Sequence, residues 1–121
     1  MTVPEKKFKL RKEDIKNLFS WDGPMGCIAS DRITVDGAKV GYMYRAEPTA
    51  NPTDSGWCFM AGDESEEYTN DPGNSAVYSL NTICNYDPDI IPLLSSPVGS
   101  AFIRDETGKL VKDEFSAPTK E

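Results

Sequence analysis

Two short aromatic runs, Tyr42-Met43-Tyr44 and Trp57-Cys58-Phe59-Met60, flank a loop rich in Pro, Asn, Asp and Ser within residues 41–67. No other feature of the chain limits its fold as strongly. Side chains on a strand point to opposite faces with a period of two, so Trp57, Phe59 and Ala61 share one face, and Cys58 and Met60 the other. Apolar residues on both faces predict a central strand covered on both sides, by helices or by another sheet. On the first run Val40, Tyr42 and Tyr44 point one way, and Gly41, Met43 and Arg45 the other. Gly41 leaves room for close backbone approach or a bulge. Trp57, Tyr42, Tyr44 and Phe59 are therefore the expected structural core.

The flanking segments extend this pattern. KEDIKNLF, residues 12–19, places Ile15, Leu18 and Phe19 on one stripe, which predicts a short amphipathic helix. Residues 20–26 combine Gly23-Pro24 with Gly26 into a turn. CIAS and RITV read as strands, and Asp36-Gly37 predicts a hairpin tip leading into residues 38–45. AVYSL predicts a strand, ICNY a helical turn capped by Asn81, and DPDIIPLL a short helix with Asp87 as cap and Pro88 at its first position. VGSAFIRD and KLVKDEF form a terminal hairpin about Glu106-Thr107-Gly108. The fold class is α+β, a mainly antiparallel twisted sheet with two or three short helices. With 121 residues the chain supports one core. We divide it into an arm and short helix (1–25), a single α+β domain (26–115) and a frayed tail (116–121).

Charge narrows the partners. Thirteen Lys and Arg against twenty Asp and Glu give a net charge of -7, opposite to what phosphate neutralisation requires. Nucleic acid and anionic membrane are not expected partners. No Lys or Arg occurs from Ala46 to Ile103, whereas Asp54, Asp63, Glu64, Glu66, Glu67 and Asp71 all fall there. The surface of this middle third solubilises the protein or steers a basic partner. The candidate partner-binding set is Asp54, Asp63, Glu64, Glu66, Glu67 and Tyr68, the tyrosine chosen because it sits in the acidic loop without an apolar neighbour.

The chain has no histidine. This removes Ser-His-Asp and Cys-His nucleophile systems and most zinc and non-haem iron sites. The acidic cluster lacks the spacing of an EF-hand loop, and no glycine-rich phosphate loop is present. Cys27, Cys58 and Cys84 lie in or beside apolar runs without a CxxC pair, so they read as small core residues of a reducing, cytoplasmic protein. No signal sequence or membrane span is expected. No catalytic residue, metal or cofactor is assigned, and a monomer is expected over a homodimer.

The strings ITVDG, KVGYMYR, DSGW, AGDE, YSLNTICNYDPDIIPLL and PVGSAF, in this order over about residues 27–110, resemble the bacterial immunity protein thirty-three family, once listed as a domain of unknown function. The resemblance implies an α+β immunity protein encoded beside a polymorphic toxin. It matches the family tryptophan to Trp57 and brings no catalytic residue. On this reading the acidic residues meet a basic active-site cleft of a toxin. A stand-alone interaction or regulatory protein is the alternative, followed by a carboxylate-based or metal-dependent enzyme.

Overall fold

In the computed structural model, which describes residues 8–10, 12–19, 23–47 and 53–112, the Trp57 strand is the third of six. The strands are β1 (Gly26–Ser30), β2 (Tyr42–Arg45), β3 (Asp54–Met60), β4 (Ser75–Ser79), β5 (Ala101–Arg104) and β6 (Leu110–Lys112), in the sheet order β4-β1-β3-β2-β5-β6. Only β1 and β3 pair in parallel; the other neighbours are antiparallel. Among the described residues the helices are α1 (Asp31–Thr34), α2 (Glu66–Asn70) and α3 (Leu80–Tyr86), with 3-10 turns at Lys12–Asp14, Pro72–Asn74 and Pro88–Leu93. This is an α+β fold with a mostly antiparallel sheet. No helix of the described residues is long and apolar enough to cross a membrane.

Burial alternates along β3 as the period of two requires, with Ser55, Trp57 and Phe59 buried and Asp54, Gly56, Cys58 and Met60 half-exposed. The core lies on one face of the sheet, where Trp57, Phe59 and Met43 pack with Ile33, Leu80, Ile83, Ile90 and Leu94. Trp57 stacks on Phe59 with ring centroids 6.0 Å apart, and its Nε1 donates to the Leu94 carbonyl at 3.1 Å. The indole is thereby buried without leaving its donor unpaired. Arg45 lies 5.9 Å above the Trp57 ring and donates to the carbonyls of Ser55 and Ser96, so its cation closes the edge of the core.

Asp87 and Arg104 tie the helical layer to the sheet. Asp87 is fully buried and accepts from Val40 N, Asp89 N and an Arg104 guanidinium nitrogen, the last at 2.6 Å. Arg104 also donates to the carbonyls of Val40 and Gly108. A buried carboxylate is tolerable only with this degree of hydrogen bonding. Gly41 serves a different need, because a Cβ there would stand 1.9 Å from the Ala61 carbonyl oxygen. Close approach, rather than a bulge, explains it. The bulge sits instead on β3, where the β1 register shifts and Gly56 adopts φ +87.

Several local expectations give way to tertiary contacts. RITV is not a strand: Ser30 caps α1 by accepting from Arg32 N, and Asp36-Gly37 ends this helical turn rather than forming a hairpin tip. Residues 12–19 are helical only as the 3-10 turn Lys12–Asp14. Beyond it, Asn81 and Asn85, one turn apart on α3, hold the backbone of Lys16, Leu18 and Phe19. These side-chain amides supply what a helix would have supplied internally. Asn81 therefore sits inside α3, and Ser79 is its cap. Asp87 does cap the following 3-10 turn, with Pro88 in its first position. Residues 20–22 of the turn expected at 20–26, residues 1–7 and 11 of the arm, and the tail lie outside the described residues.

Two expected core residues are placed elsewhere. Tyr42 and Tyr44 are half-buried on the sheet face opposite Trp57 and Phe59, while Met43 between them is fully buried. Val40 precedes β2 and departs from its alternation, so it reaches the core together with Met43. Cys58 likewise belongs to the opposite face and is half-exposed. That face is not covered along its length. Ile28, Val77 and Ile103 remain 45%, 74% and 44% exposed.

Candidate functional site

β3 ends in residues 61–65, which turn the chain over the uncovered face and into α2. Glu64 folds back and accepts from the backbone N–H groups of Ala61 and Gly62, each at 2.8 Å. Ser65 caps α2 by accepting from Tyr68 N, and Glu66 and Glu67 occupy the first turn, where the helix end favours negative charge. Asp71 then accepts from Gly73 N, and the Asn74 side-chain amide donates to the Tyr68 carbonyl. Residues 61–74 are thus stitched into a flap by their own polar side chains. Its surface is formed in advance of any contact.

The carboxylates of this flap divide by role. Asp63 receives a bidentate fork from Arg32, Nε at 3.1 Å and a terminal nitrogen at 2.7 Å, which joins the flap to α1. The Arg32 hydrogen bond holds the Asp63 carboxyl below its ordinary value. Burial pushes Glu64 up, but hydrogen bonds from Ser30 and from backbone N–H groups outweigh it and leave the carboxyl lowered. Glu66 and Glu67 are exposed, and among the described residues no Lys or Arg forms an ion pair with them. They are the charges directed at solvent.

Tyr68 is half-buried rather than projecting. Burial raises its phenol, and the carboxylates of Asp31, Asp36 and Glu64 add to that rise. The phenol sits in a negative field between the flap and α1. Asp54 does not join this group. It begins β3 while residues 63–68 follow its end, and six strand steps of roughly 3.3 Å set the two ends about 20 Å apart. The structure gathers Asp63, Glu64, Glu66, Glu67 and Tyr68 and leaves Asp54 out.

Beside the flap, the uncovered sheet face forms a groove of about 220 Å³ lined by Ile28, Tyr44, Cys58, Met60, Tyr68 and Thr69, with Asp71, Asn74 and Ser75 at its flap side. Strand register places Ile28 opposite both Cys58 and Val77, and Cys58 opposite Tyr44, so one apolar row crosses four strands. Sequence reasoning missed this groove because it assigned Tyr44 and Cys58 to the core. The available signal was the second apolar face of β3, carried by Cys58 and Met60.

Reactive chemistry finds little support here. Burial pushes all three thiols up, with Cys84 at about 11, which disfavours a thiolate nucleophile. Among the described residues no cluster of three or more Cys, Asp or Glu is arranged to hold a metal ion. What the fold and flap define is an α+β domain with an acidic flap beside an open sheet face. The family described as Immunity protein Imm33 domain matches residues 27–114, and the chain belongs to that family. No curated protein and no solved structure matches the chain.

Proposed function

We propose that this protein is an immunity protein that neutralises a cognate toxin by binding it, without catalysis of its own. The family match over residues 27–114 carries the reading. The flap supports a mode of action. Glu66 and Glu67 present negative charge that no Lys or Arg among the described residues pairs, on a helix already capped and braced, so little ordering is required on binding. An anionic surface speeds capture of a basic partner, which fits a toxin whose active-site cleft is lined by Lys and Arg.

Within this reading Asp63 and Glu64 shape the flap, Glu66 and Glu67 meet the partner, and Asp54 has no part in the contact. The protein acts as a monomer in the cytoplasm. Co-expression with the toxin encoded beside its gene tests the proposal: growth is restored and a one-to-one complex is isolated. Unrelieved toxicity, with both proteins folded and no complex formed, contradicts it.

A further inference from the structure

We infer that the groove between the flap and the uncovered sheet face is a docking pocket for one large apolar side chain of a basic protein segment. This deepens the immunity reading and rests on it for the kind of partner. The first observation is size. The groove holds about 220 Å³, below the roughly 300–1,000 Å³ of small-molecule sites. It has room for a side chain rather than a metabolite.

The second observation is its composition. Ile28 and Met60 offer apolar walls, and Tyr44 and Tyr68 offer aromatic surface with a polar tip, the mixture found where an anchor residue is desolvated at an interface. Ile28 stays 45% exposed and its β4 neighbour Val77 74% exposed, so the apolar row continues past the groove instead of closing over it. A monomer gains no stability from leaving such a row in water.

Charge selects the occupant. Among the described residues the only charged one in the groove wall is Asp71, and Glu66 and Glu67 stand on the same short helix as Tyr68 and Thr69. Arg32, which reaches the flap from α1, is already engaged by Asp36 and Asp63, and Lys39 and Arg104 line the adjoining pocket rather than the groove. A segment with Lys or Arg on either side of a Trp, Phe or Leu matches both the apolar floor and the anionic rim. An acidic or purely polar segment matches neither.

The test is a methyl NMR titration of the full chain with three synthetic heptapeptides: a Trp flanked by Lys and Arg, the same peptide with Ser in place of Trp, and Trp flanked by Glu. The basic Trp peptide is expected to shift the methyl groups of Ile28, Met60 and Thr69 and to bind at least about tenfold more tightly than either control. I28R, which places a cation at the groove wall, should abolish the Met60 and Thr69 shifts while the remaining spectrum stays that of the folded protein. Val98→Ala, at an exposed position outside the groove, should leave them in place. Equal binding of the Ser peptide, or a shift at Thr69 with Ile28 and Met60 unmoved, would overturn the pocket and leave charge alone. A groove insensitive to every peptide because a second copy or residues 113–121 occupy it would overturn it too; concentration-dependent shifts or a change on truncation would identify that occupant. Loss of toxin neutralisation tests the immunity reading separately, since these peptides report on the groove whatever the toxin.

Discussion

The two faces of the sheet are built from the same strands and put to different uses. On the covered face, Trp57, Phe59 and Met43 are fully buried, and every polar group brought with them is bonded: the indole to Leu94, Asp87 to Arg104 and two backbone N–H groups. On the other face, one residue further along each strand, Ile28, Tyr44, Cys58 and Ile103 remain partly in water. Covering that second face would have added hydrophobic stabilisation of roughly 25 cal/mol per Å². The sheet thus has one face closed by the core and one left open, with the acidic flap beside the open face and tied to α1 through Arg32 and Asp63.

The largest effects should come from the covered face. Arg104→Ala leaves the buried Asp87 carboxylate without its cation and should cost about 3–5 kcal/mol. Trp57→Ala should cost a similar amount, about 3–5 kcal/mol, through the cavity it leaves. Chemical denaturation measures both, and a loss below 1 kcal/mol for either would mean that the core is not organised as described. Gly41→Ala is expected to cost about 1–3 kcal/mol, since Ala61 must move to admit the methyl group.

At the flap the effect depends on pH. The carboxyls of Asp63 and Glu64 titrate below their ordinary values of 3.8 and 4.5 in the folded protein. Each is more readily ionised folded than unfolded, so its contribution is complete above the unfolded value and disappears as pH falls through the folded one. Stability should therefore fall on acidification below about pH 4.5, and Glu64→Gln should flatten that slope. An unchanged slope would dissociate the Glu64 hydrogen bonds from flap stability. The smallest effects belong to the open face. Ile28→Thr and Val77→Thr should each change stability by no more than about 0.5 kcal/mol. A larger cost would show that this face is part of the core.

The sequence makes the central strand legible because alternation at Trp57 and Phe59 is local information, and so are the Asp87 cap and Pro88. The segments that escape prediction are those whose partners are distant. Residues 16–19 have a helical stripe, yet Asn81 and Asn85, more than sixty positions away, take up their backbone groups. RITV has strand propensity, but a Ser30 cap and the fork from Arg32 to Asp63 favour a helical turn. The acidic cluster could be found from composition. Its division into bracing Asp63 and Glu64 and outward Glu66 and Glu67 could not, because that depends on which carboxylate reaches a donor in three dimensions. Tyr44 illustrates the remaining gap: alternation gives the face, and only the tertiary arrangement tells which face is covered.

The central claim is that recognition lies on the open, acidic side and stability on the other. The most direct test is the association kinetics of a cognate toxin with the wild-type protein and an E66K/E67K variant, at low and moderate salt. The prediction is an association rate reduced about tenfold or more, with a weaker salt dependence and an unaltered melting temperature. Identical kinetics in a folded variant would contradict it and remove the flap from the binding surface.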